Sequence, residues 1–114
     1  MTVAEPRPGD GPVRIMLRVV IRPGAGPDFE RAWTRLAAQI AENPANLGQS
    51  LARSRSETDV YYVTSDWVDA ERFRAFERSA RHVENRRRLA PYRVDSTMWT
   101  MRVVHALPGP GVTG

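Results

Sequence analysis

The residues best suited to chemistry in this 114-residue chain fall within one stretch, VTSDWVDAERFRAFERSARH, at positions 63–82. It holds Trp67, then Phe73 and Phe76 at a helical interval, then His82, one of only 2 histidines. An indole ring can pack on a flat ligand while its N–H donates to a carbonyl or peroxide oxygen. A histidine poised near neutral pH suits proton transfer. Trp67 and His82 are therefore the candidate catalytic residues. The plainer reading makes the same stretch a strand-to-helix corner packed for stability. Tyr61, which shares strand parity with Trp67, joins Phe73, Phe76, Trp33 and Arg18 as candidate substrate-binding residues. Arg18 lies inside a strand pattern, where an unpaired charge is expensive to bury; it would hold a phenolate or carboxylate, or else pair with an acid. His82 carries a geometric condition. On an unbroken helix from Asp69 it would lie about 180° from Phe73 and face water. It reaches a pocket only if the helix breaks near residues 79–81.

Composition removes several other chemistries. There are no cysteines, which excludes disulfides, thiolate catalysis and cysteine-rich metal sites. With His82 and His105 alone, a multi-histidine metal site within one chain is not expected. All 17 basic side chains are arginines. Their one dense run, Arg86 to Arg88, lies near Glu77 and Glu84 and reads as a solvated helical face with local ion pairs. A nucleic-acid surface would interleave basic residues with exposed aromatics or glycines, so no nucleic-acid partner is expected. No apolar run approaches the roughly 18 residues of a membrane span, and the start has no apolar signal region. The expectation is a soluble cytoplasmic protein. PGAGPD, at positions 23–28, lacks the third glycine of a dinucleotide fingerprint. Asp28 there would repel phosphate at a helix start, so no nicotinamide or flavin is expected.

The elements that must position these residues can be read in order. VRIMLRVVIR, 13–22, alternates as a strand, with Ile15, Leu17, Val19 and Ile21 on one face. Asp28 or Pro27 can open a helix in which Phe29, Trp33, Leu36 and Ile40 form an apolar stripe. LGQSLARSRS and VYYVTSDW read as two strands joined tightly at ETD, an antiparallel hairpin. Asp69 can cap the next helix, with Phe73, Phe76 and Ala80 on its inner side. A less regular helical segment follows, Pro91 stops it, and YRVDSTMWTMRVVH makes a long last strand. Residues 1–12 and 107–114 read as flexible tails around one domain at 13–106. The order strand, helix, strand, strand, helix, strand is that of an α+β, ferredoxin-like βαββαβ fold with an antiparallel sheet.

Helices can cover only one face of such a sheet. The strands nevertheless carry apolar residues on both faces, as in Tyr61 and Val63 against Val60 and Tyr62, and Trp99 and Met101 against Met98 and Val104. A second copy packed sheet to sheet would cover the other face, so a homodimer is expected.

Three segments in this order carry a resemblance. VVIRPGAGPDFERAW, ENPANLGQSLARS and YYVTSDWVDAERFRAFERSARH resemble the successive segments of the antibiotic biosynthesis monooxygenase family. The resemblance spans about residues 13–105. It implies a dimeric α+β barrel with a pocket between sheet and helices of each subunit. It also implies oxidation of an aromatic, anthrone- or quinol-type polyketide substrate by O2 with no flavin, haem or metal. Trp67 matches the family's tryptophan at the end of the third strand, and His82 the histidine after a small-residue break. The chain departs from the family elsewhere. Phe76 stands where relatives often have another histidine, and Val63 and Phe73 where anthrone oxygenases often place an asparagine and a tyrosine. The first strand lacks the asparagine of haem-degrading relatives. The alternatives are accordingly a non-oxygenase protein that binds or helps cyclise an aromatic intermediate and, third, a haem-degrading enzyme.

Overall fold

The computed structural model describes residues 11–111. Its elements are β1 (Val13–Ile21), α1 (Gly26–Ile40), β2 (Asn46–Arg53), β3 (Val60–Trp67), α2 (Ala70–Glu77), α3 (Ala80–Leu89) and β4 (Arg93–Arg102). The four strands form one sheet in the order β2-β3-β1-β4, with every neighbouring pair antiparallel. This is the expected α+β, ferredoxin-like arrangement. The expected tails fall partly outside it: residues 1–10 and 112–114 lie beyond the described residues, and 103–111 carry neither helix nor strand.

Register decides which side chains meet the helices. Val13, Ile15, Leu17 and Val19 of β1 stand opposite Trp67, Ser65, Val63 and Tyr61 of β3, all pointing to the helical side. Two aromatic cores form there, one at each end of the sheet. Val13, Ile15, Trp67 and Phe73 make the first; Val19, Ile21, Phe29 and Tyr61 make the second. Each ring buries roughly 150–250 Å², on the order of 4–6 kcal/mol of apolar transfer.

Helix starts differ from one another in instructive ways. Helix α1 begins at Gly26, before Asp28, and its N-cap Ala25 makes no side-chain cap; Asp28 instead sits in the first turn and pairs with Arg31. A Cβ at residue 26 would come within 2.9 Å of the Tyr61 hydroxyl, so glycine lets the helix start pass over that ring. Asp69 caps α2 as expected, accepting from Arg72 N at 2.7 Å. The helical run then stops. Ser79 leaves helical geometry (φ −63°, ψ 146°), and its Oγ donates to Phe76 O at 2.7 Å while accepting from His82 N at 3.2 Å. One hydroxyl thus closes α2 and opens α3.

The outer sheet face carries Met16 beside Trp99 and Arg14 beside Met101. Trp99 is 44% exposed and Met101 39%. Among the described residues no helix is long and apolar enough to cross a membrane.

Because the Ser79 hydroxyl serves two helix ends, Ser79→Ala should cost about 1 kcal/mol in chemical denaturation. A loss within experimental error would show that the corner is held by packing alone.

Candidate active site

A cavity of about 300 Å³ lies between the two aromatic cores, under the helices. The middle of β1 (Ile15, Leu17, Val19) and Val63 form its floor, and Phe29, Trp33 and Leu36 of α1 one wall. Trp67, Phe73 and Phe76 close a second wall. Trp67 is buried, with its ring centroid 4.6 Å from that of Phe76 and 5.6 Å from that of Phe73. Its indole N–H donates to Ser65 Oγ at 3.0 Å. That donor is therefore engaged inside the protein, and the tryptophan meets the cavity chiefly with its ring.

The third wall is α3. Because the helix breaks at Ser79, His82 turns inward and packs against Phe76, ring centroids 4.2 Å apart. Its Nδ1 is buried without a hydrogen-bond partner among the described residues. Burial, with a smaller contribution from the Arg86 guanidinium, pushes the His82 pKa down to about 4. At neutral pH the ring is uncharged and one nitrogen is a proton acceptor. An inflection between about pH 6 and 8, natural for an unperturbed histidine, is displaced to the acid side. Asn85, one turn on, is 4% exposed, lines the same cavity and holds a second unpartnered nitrogen, Nδ2. Each such atom costs roughly 1–3 kcal/mol in the folded protein.

Five of the seven residues singled out by sequence meet at this cavity: Trp67, His82, Phe73, Phe76 and Trp33. Two do not. Tyr61 points to the helical side, but the start of α1 covers it and its hydroxyl donates to Glu30 Oε2. Burial, then Glu30, pushes its pKa up to about 12, so it stays protonated. Arg18 points to the outer face and pairs with Glu57, which also accepts from the Tyr62 hydroxyl. Pairing with an acid was the plainer expectation for an arginine in a strand.

Sequence reasoning missed Ser65, Asn85 and Arg86. Ser65 could have been found by parity, two residues before Trp67 on the same face. In sequence Arg86 is indistinguishable from Arg87 and Arg88, its neighbours in one basic run. Those two pair with Glu84, whereas Arg86 lines the cavity. Once α3 is a separate helix, Arg86 stands four residues after His82 on one side of it.

Residues 12–88 match the family model described as antibiotic biosynthesis monooxygenase. The chain belongs to that family. Protein SchA of Streptomyces halstedii is 31% identical over 80 residues, which is 70% of this chain and 21% of SchA. The chain thus spans about a fifth of that relative's length. Among solved structures, SnoaB of Streptomyces nogalater, described as a cofactor-independent oxygenase, superposes with a TM-score of 0.76 at 23% identity. The match covers 87% of this chain and 99% of SnoaB. A Caulobacter crescentus protein, described as a candidate antibiotic biosynthesis monooxygenase, gives 0.79 at 19% identity, over 86% of this chain and 94% of its own. At these identities the two structures speak for the fold.

This family member also has a wider, more open groove of about 870 Å³ between the end of α1, the loop after it and the α2–α3 corner. Ile40, Phe76 and Asn85 line both spaces and so form the wall between them. The groove is the larger of the two, but the cavity holds Trp67 and His82 and is the better candidate for chemistry.

The lowered His82 pKa has a consequence for stability. Between about pH 6.5 and 4 the unfolded chain binds a proton at this residue and the folded chain does not, so folding weakens as pH falls. Wild type should therefore lose on the order of 2 kcal/mol more than His82→Phe over that interval, measured by denaturation at a series of pH values. Parallel curves for the two proteins would show that the ring titrates normally.

Proposed function

We propose that this chain is a cofactor-independent monooxygenase that oxidises an electron-rich aromatic substrate, of the anthrone or quinol polyketide kind, with O2. The observation that carries the reading is a narrow aromatic cavity with an uncharged histidine in its wall. The family description and the description of SnoaB support it. In the net reaction on an anthrone, the methylene carbon gains a carbonyl oxygen from O2 and the second oxygen atom leaves as water. Four electrons pass from substrate to O2. The protein's part is to bind the flat ring between Trp67, Phe76 and the β1 floor, exclude water, and accept a proton at His82. A substrate anion forming beside His82 favours its protonated form, offsetting the burial that holds the free ring neutral. Arg86, at the same wall, adds positive charge toward that anion.

A second reading, a binding or cyclisation-assisting protein without oxygenase activity, draws on one observation. The Trp67 N–H is committed to Ser65, and Val63 and Phe73 add no polar group from their side. Oxygen-electrode measurements separate the two. Protein given an anthrone or hydroquinone should consume O2 and yield the quinone; tight binding across such a panel without O2 uptake would transfer the assignment to the second reading.

The working unit in this proposal is a cytoplasmic homodimer with no nucleic-acid or membrane partner, built by packing the outer sheet faces into a dimeric α+β barrel. Exposed Trp99 and Met101 beside Met16 support that interface. Light scattering at micromolar concentration should give about twice the 12.8 kDa chain mass, and Trp99→Glu should give the monomer. A wild-type monomer would refute the dimer.

A further inference from the structure

Three side-chain nitrogens of the described residues are buried without a hydrogen-bond partner: Asn46 Nδ2, His82 Nδ1 and Asn85 Nδ2. Asn46 lines neither the cavity nor the groove, whereas His82 and Asn85 sit three residues apart on α3 and line the cavity together. Folded proteins satisfy nearly all buried polar atoms, and exceptions call for an explanation. Two on adjacent turns of one short helix, both at one cavity, have a common one: their partner is a ligand.

The two offer complementary chemistry. An uncharged His82 presents an acceptor, and the Asn85 amide presents donors. Asn85 also stands where the cavity meets the groove, beside Phe76, whose ring packs on His82. We propose that Asn85 is a substrate-binding residue, donating its amide N–H to a carbonyl oxygen of a flat aromatic ligand that enters from the groove past Phe76. The charged side chains at this cavity, Arg86, Arg93 and Glu77, carry a net positive charge, which also favours the electron-rich oxygen of a carbonyl there. The inference rests on the reading of the cavity as an aromatic-substrate site, but on its binding step alone.

The test compares two probes of one skeleton, 2-methyl-1,4-naphthoquinone and 2-methylnaphthalene, which differ in the carbonyl oxygens. Equilibrium dialysis gives a Kd for each with wild type and with Asn85→Leu, which keeps the approximate volume and removes the donor. The ratio of the two affinities should shift against the quinone by roughly five- to tenfold in the variant, the scale of one lost hydrogen bond. Asn85→Leu should also melt higher, because an unpartnered buried amide gives way to an apolar group. If that variant does not fold, Asn85→Ala reads the same ratio. An unchanged ratio in a folded variant overturns the proposal whatever the melting temperature does, and so does failure of wild type to bind either probe. The readout is separate from turnover. A ratio shift without O2 uptake removes the oxygenase reading and leaves Asn85 in its role; O2 uptake with an unchanged ratio does the reverse.

Discussion

The site depends on one hydroxyl. Ser79 Oγ lies between a carbonyl in the last turn of α2 and an amide in the first turn of α3, donating to Phe76 O and accepting from His82 N. An uninterrupted helix from Asp69 would carry His82 to the solvent side, roughly opposite Phe73. The break re-aims ten residues, so that His82 and Asn85 turn inward and the exposed Arg86 borders the cavity, while Arg87 and Arg88 stay in water with Glu84. The wall of the cavity and the electrostatics of its histidine both follow from that change of direction.

The sheet supplies the complementary constraint. Antiparallel register puts Trp67 and Tyr61 on the same face at opposite ends of β3. Their fates then diverge because different helices cover them. The start of α1, thinned by Gly26, closes over Tyr61 and takes its hydroxyl through Glu30. Around Trp67 the cover comes from Phe73 and Phe76, which leave its ring against open volume. The cavity exists where neither aromatic core fills the middle of the sheet.

How much of this could be read from sequence varies with the physical signal involved. Strict alternation in β1 and β3 fixes faces, so the helical-side positions of Ile15, Val19, Tyr61 and Trp67 follow directly. The Asp69 cap is equally plain, since an acid before a helical stripe has few other roles. Parity cannot tell which helix lies over a given residue, so it groups Tyr61 with the site although the start of α1 covers it. The polar segment from Val83 to Leu89 has almost no apolar period, so nothing in it marks Asn85 as inward or Arg86 as bordering the cavity. Their placement comes from the corner before them rather than from their own pattern. The depressed His82 pKa is hidden from the sequence for the same reason: it comes mainly from burial, with a smaller part from Arg86, and neither is a property of the residue type.

The division of labour within the cavity bears on how such a protein can change. Its apolar surface comes largely from the strands and from α1 and α2, the parts that also form the aromatic cores. The buried nitrogens left for a ligand come from α3, a ten-residue helix on the surface with only Asn85 classed among its buried residues. Substitutions in α3 touch no strand pairing and little of the core. Recognition and foldability are thus written in different stretches of the chain, and a lineage can explore new ligands through one short helix while the scaffold is left undisturbed.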